Sequence, residues 1–69
     1  MTARWVAIAE TQWELRGSDG KKLGSLVRFE PTDTGEGPTW AALPRGGRYL
    51  QPQAELRAAA ETLLEQLRR

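Results

Sequence analysis

The stretch Gln12-Trp13-Glu14-Leu15-Arg16-Gly17-Ser18-Asp19-Gly20-Lys21-Lys22-Leu23-Gly24-Ser25-Leu26-Val27-Arg28-Phe29-Glu30 decides the fold. Its first part alternates, with Trp13 and Leu15 on one side and Gln12, Glu14 and Arg16 on the other, which is the period of a half-buried strand. Gly17-Ser18-Asp19-Gly20 then supplies a turn. Asp-Gly is among the strongest hairpin signals, because Gly takes φ > 0 without steric cost. Residues 23–30 form the return strand, with Val27 and Phe29 on one face and Leu26 and Arg28 on the other. Gly24 inside that run predicts a bulge or an irregular start.

Working outward from this hairpin, residues 4–10 are rich in β-branched and aromatic types and predict a preceding strand, with a short Ala-rich helix as the alternative. Trp5, Ala7 and Ala9 would share one of its faces, Val6 and Ile8 the other. On the other side, residues 30–38 hold Pro31, Gly35, Gly37, Pro38 and the acids Glu30, Asp33 and Glu36, with no apolar residue. This composition predicts the most mobile loop of the chain. Residues 39–43 (Thr-Trp-Ala-Ala-Leu) read as a strand that Pro44 ends, Arg45-Gly46-Gly47-Arg48 as a tight turn, and residues 48–50 as a very short strand. After Gln51 the period changes. Leu56, Ala60, Leu63 and Leu67 recur at helical spacing, Leu64 widens the stripe, and Pro52 suits a first helical position. A helix over 52–68 with one apolar stripe must lie on one face of a sheet. The expected architecture is therefore α+β: a small antiparallel sheet of three to five short strands packed by one C-terminal amphipathic helix, with Leu56, Leu63 and Leu67 against Val27 or Trp13.

The chain has 69 residues, enough for one domain with a modest core. It has neither Cys nor His, so disulfides, thiolate metal sites and imidazole ligands are all excluded. No metal, cofactor or small-molecule substrate is expected. No apolar run approaches the ~20 residues of a membrane span, and the amino terminus lacks a signal-peptide pattern. A soluble protein of the cytoplasm, without membrane attachment, is expected. Catalysis is not expected either. Ser18 and Ser25 have no His or Cys beside them in the composition, Glu10 with Glu14 reads more simply as solvated carboxylates, and Gly46-Gly47 lacks the Gly-Lys-Ser/Thr ending of a phosphate loop.

What remains is a pattern of Arg and aromatic residues on short strands and turns: Arg28, Trp40, Arg45, Arg48 and Tyr49, with Lys21 and Lys22 at the neighbouring hairpin. Arg pairs with phosphate or guanine, and aromatic rings pack on nucleic-acid surfaces. The plainer reading is equally open: solvated cations on turns, and Trp40 in the core. Net charge is only +1, from ten Lys and Arg against nine Asp and Glu.

The order Leu26-Val27-Arg28-Phe29, Gly37, Trp40-Ala41-Ala42, Gly46-Gly47-Arg48-Tyr49-Leu50, Ala54-Glu55-Leu56-Arg57-Ala58-Ala59-Ala60 resembles the three-stranded-sheet-plus-helix DNA-binding domains of the ethylene-response type and of phage and transposon integrase amino-terminal domains. The resemblance implies a sheet that enters the major groove and implicates Arg28, Trp40, Arg45 and Arg48 in contacts to DNA. The low net charge and the acidic loop depart from it, and residues 1–25 have no counterpart in it. Two function classes follow. One is a small DNA-binding module of a phage or mobile element acting through the free sheet face. The other is a protein-protein interaction module, such as a phage-encoded inhibitor of a host defence or transcription protein, since Trp, Tyr and Arg are favoured interface anchors. A homodimer that covers its own sheet face is a third option.

Overall fold

The computed structural model of the chain describes residues 3–30 and 37–68. Four strands, β1 (Ala3–Ala9), β2 (Gln12–Gly17), β3 (Lys22–Phe29) and β4 (Thr39–Pro44), form one antiparallel sheet in the order β1-β2-β3-β4, followed by one helix, α1 (Leu56–Arg68). The α+β architecture expected from the alternation and the final helical stripe is the one found. No helix among the described residues is long and apolar enough to cross a membrane.

The central hairpin closes as its turn residues dictate. The Gly20 N–H donates to the Gly17 carbonyl at 2.9 Å and the Gly17 N–H to the Lys21 carbonyl at 2.9 Å. Gly20 takes φ +82°, a conformation that an L side chain rarely adopts. The Asp19 carboxylate accepts from the Lys21 N–H at 3.0 Å, which ties down the turn. The register then places Trp13 opposite Leu26 and Leu15 opposite Gly24, with an irregularity between Leu15 and Arg16. The bulge foreshadowed by Gly24 is therefore present, at the start of β3.

Register and alternation sort the side chains into two faces. Trp5, Trp13, Leu15, Gly24, Leu26, Arg28, Trp40 and Ala42 share the face that carries α1. Arg4, Val6, Glu14, Arg16, Lys22, Ser25, Val27, Phe29, Ala41 and Leu43 share the opposite face. The helix packs on β4 and, to a smaller extent, on β3. Its anchor is Leu63, fully buried, in a core with Leu15, Leu26, Ala42 and Ala59. Gly24 makes that seat possible. A Cβ there would stand 2.9 Å from both methyl carbons of Leu63 and 3.1 Å from the Leu43 carbonyl oxygen.

Three expectations are corrected. Val27 does not meet the helix; its alternate neighbour Leu26 does. Leu67 is exposed rather than buried, so the apolar stripe narrows in the last turn. The helix begins at Leu56 rather than near Pro52, and residues 48–50 do not form a strand. Both shifts have one cause. Residues 50–53 run along the outer edge of β4: the Leu50 N–H donates to the Ala42 carbonyl (2.8 Å), and Gln53 and Trp40 exchange both backbone hydrogen bonds (2.7 and 2.8 Å). A residue paired to a strand edge is extended, so helical winding waits until Glu55, whose carbonyl accepts from the Ala59 N–H at 3.2 Å. This strap also occupies backbone groups of an edge strand that would otherwise be open. The expectation of a mobile loop falls mainly on residues 31–36, outside the described residues.

Leu63→Ala should lower stability by about 2–5 kcal/mol in urea unfolding, because a fully buried Leu is removed. Gly24→Ala should cost about 1–3 kcal/mol alone. In a Leu63→Ala background the Gly24→Ala cost should shrink, since the two methyl carbons it strikes most closely are gone and only the Leu43 carbonyl contact remains; additive costs would show that the two residues do not form the seat.

Candidate functional site

The strand register brings cations from separate parts of the sequence to one end of the sheet. Arg4 stands directly opposite Arg16, and Arg16 pairs with Lys22, so three cations cross β1, β2 and β3 in a row on the face away from the helix. Directly opposed like charges on neighbouring strands destabilise a sheet. One carboxylate offsets the row. Glu14, only 9% exposed, lies 2.7 Å from Arg16 Nη2 and 3.8 Å from Lys22 Nζ. Arg16 also donates through Nη1 to the Gly20 carbonyl at 2.9 Å, which fixes its guanidinium at this end of the hairpin.

The end of β4 extends the row. Gly24 pairs with Pro44, and the Pro44–Gly47 turn closes by the Gly47 N–H donating to the Pro44 carbonyl at 3.1 Å, with Gly46 at φ +71°. The Arg45 N–H donates to the Leu23 carbonyl at 3.2 Å, so this turn is held against the start of β3. Between the two turns lies an open depression of about 590 Å³ whose charged lining is Arg16, Lys21, Lys22 and Arg45. Arg4 and Arg16 also line an adjoining hollow beside Gly17 and Ser18. Arg48 lies just beyond, beside the last turn of α1. Among the described residues, Arg4, Lys21, Arg45 and Arg48 pair with no carboxylate.

The opposite end of the sheet has the opposite sign. Glu10 sits in the β1–β2 turn, Glu30 follows β3, and Glu55 precedes α1 beside the Gln53–Trp40 bridge. The near-zero net charge thus conceals one end that is mainly basic, with Asp19 in its turn, and one that is mainly acidic, where Arg28 pairs with Glu30. Phe29 stands on the free face at the acidic end, and Tyr49, which follows Arg48 along the β4 edge, reaches across to it. Ile8, Phe29 and Tyr49 are 48%, 44% and 52% exposed. The Phe29 and Tyr49 rings meet edge to face, with centroids 5.7 Å apart and planes at 78°.

The residues that stand out in the sequence divide into two groups. Lys21, Lys22 and Arg45 converge on one depression, with Arg48 and Tyr49 close by. Arg28 and Trp40 do not join them. They pair with each other on the helix-bearing face, at the other end of the sheet. Trp40 packs against the core, and Arg28 forms an ion pair with Glu30 at 3.0 Å. Two members of the site, Arg4 and Arg16, do not stand out in the sequence. Alternation places Arg16 outward on its strand, but only the pairing register shows that Arg4 faces it. Phe29 likewise has a strand face by alternation, without a surface to which that face belongs. Among the described residues no group of three or more acidic, Cys or His side chains could hold a metal ion.

A second recess, of about 360 Å³, lies on the helix side where α1 leaves β1 and β2 uncovered. It is lined by Trp5, Trp13, Leu26, Leu56 and Ala60, with Arg57 and Glu61 at its rim. In comparisons with known proteins, no family model matches the chain, and no curated protein or solved structure is significantly similar to it.

Glu14 is the shared counter-ion of the cationic row, so Glu14→Gln should destabilise the fold by about 1–3 kcal/mol at low salt. Much of that stability should be recovered at about 0.5–1 M NaCl, where repulsion among Arg4, Arg16 and Lys22 is screened. An equal destabilisation at both salt concentrations would show that Glu14 acts through packing rather than charge.

Proposed function

We propose that this domain is a non-enzymatic binding module that takes nucleic acid at the cationic end of its free sheet face. One observation carries the reading: Arg4, Arg16 and Lys22 stand in register across three strands and are continued by Lys21 and Arg45 around one depression. Such a row is costly to the isolated fold, and the phosphates of a polyanion would relieve it. The low net charge does not oppose the reading: Glu10, Glu30 and Glu55 lie at the far end of the sheet, Glu14 is nearly inaccessible and already paired, and the Asp19 carboxylate, in the hairpin turn beside Lys21, accepts from the Lys21 N–H. Phosphate contacts position a protein without reading sequence, so the surface favours contact with the backbone over base recognition.

A second reading rests on a different surface. The recess beside Trp5 and Trp13 suits an apolar anchor of a protein partner. Here Trp5 and Trp13, which line the recess, take the place of Trp40, which does not. A pull-down with and without nuclease separates the two readings.

The direct test is fluorescence anisotropy with labelled oligonucleotides over a salt series. The wild-type affinity should fall steeply with salt. The Lys22→Ala, Arg45→Ala double variant should bind more weakly at about 50 mM salt and reduce the slope of log K against log[salt] by roughly 1.4–1.8, about 0.7–0.9 for each phosphate that is no longer neutralised. Arg28→Ala, on the other face, should change neither. Salt-independent binding, or an Arg28 effect as large as that of the double variant, would rule out this surface.

A further inference from the structure

Resting on the reading that the ligand is nucleic acid, we infer that the strand bound is single, with bases stacking on Phe29 and Tyr49 while the backbone runs along the free face toward Lys22 and Arg45. Three features lead there. The first is exposure. In a chain with one Phe and one Tyr, both rings are about half exposed, they touch, and they sit on the free face that also carries the cationic row. Aromatic rings usually gain by burial. Leaving both in water, next to charge suited to phosphate, matches the combination that holds single strands: stacking platforms joined to a basic track.

The second is the angle between the rings. At 78° the two π-faces point in different directions. The stacked bases of a duplex are parallel and inaccessible inside the stack. A single strand can rotate about its backbone between successive bases and place one on each ring. The third is width. The major groove is about 12 Å wide and admits a helix or a two-stranded ribbon. The axes of four strands at about 4.8 Å spacing span roughly 14 Å, and the 50–53 strap along the β4 edge brings this to roughly 19 Å. The free face is a broad platform rather than a wedge. Along β3, Lys22 and Phe29 are seven residues apart, about 24 Å of extended chain, which sets a footprint of a few nucleotides.

The test compares a labelled oligo-dT, an oligo-U of equal length and a mixed-sequence duplex, each titrated with the full chain at about 50 mM and 200 mM salt. Wild type should bind the single strands at least tenfold more tightly than the duplex. Phe29→Ala with Tyr49→Ala should weaken oligo-dT binding roughly tenfold or more and leave the salt slope unchanged, because stacking is removed while the phosphates are still neutralised. Phe29→Leu with Tyr49→Leu keeps apolar bulk and guards against a folding artefact; it should weaken binding to a similar extent. Comparable binding of oligo-U and oligo-dT is expected from stacking, which every base can supply. Equal or tighter duplex binding that still depends on Lys22 and Arg45 would overturn the single-strand inference and leave the cationic site standing. Full oligo-dT affinity in the Leu variant would also overturn the inference. Absence of binding to all three probes at 50 mM salt would remove the nucleic-acid reading and this inference with it.

Discussion

The contact between Leu63 and Gly24 governs the rest of the molecule. A single helix about 10 Å across cannot cover a sheet of four strands. Where it settles decides which surfaces remain available. The missing side chain at Gly24 lets Leu63 approach β3 closely, and the small Ala42 and Ala59 let the two backbones come together beside it. The helix is thereby drawn over β4 and β3. Trp5 and Trp13 are left at the margin of the core, half-buried, and the recess beside them follows directly. The same docking commits Leu26, Arg28 and Trp40 to the covered side and leaves Val27, Phe29 and Leu43 on the free one.

The strap of residues 50–53 works with that contact. By pairing with β4 it delays the start of α1 to Leu56, which sets the phase at which Leu63 meets Gly24. In a domain of 69 residues with neither Cys for a disulfide nor Cys and His for a structural zinc site, such dual use of short segments is expected, because apolar area alone leaves little stability to spare. Glu14 shows a related economy. Its carboxylate, nearly inaccessible, faces two of the three cations in the row, so the hairpin folds with its charges only partly compensated.

The fold is legible where local patterns are strong. Asp19-Gly20 marks the hairpin, the alternation of Trp13 and Leu15 marks β2, and the leucine spacing marks α1. The helix start is not legible, because Pro52 looks like a first-turn residue and only the tertiary bridge between Gln53 and Trp40 prevents winding there. The site is half legible. Turn cations such as Lys21 and Arg45 stand out by residue type, but the pairing of Arg4 with Arg16 is a matter of register, which a single strand does not carry. Residue type points Arg28 to a binding surface, although alternation puts it with Leu26. Once Leu26 is recognised as the residue under the helix, Arg28 and Trp40 leave the free face together.

Charge segregation gives the proposed site a direction. Cations gather where β1 begins, β2 ends, β3 begins and β4 ends, while Glu10, Glu30 and Glu55 gather at the other extremity. Phosphates are attracted along one half of the free face and repelled from the tips of the other, over distances comparable with the roughly 8–10 Å reach of charge at ordinary salt. Phe29 lies immediately before Glu30, whose carboxylate is held near Arg28 on the far side of the sheet. A strand crossing this face would therefore keep its backbone over the cations and present bases, not phosphates, to the Phe29 and Tyr49 rings. The acidic end limits the footprint, and the aromatic pair gives the strand an apolar place to finish. A uniformly basic face would have neither feature, which is why a chain of net charge +1 can carry a local polyanion site without binding polyanions all over its surface.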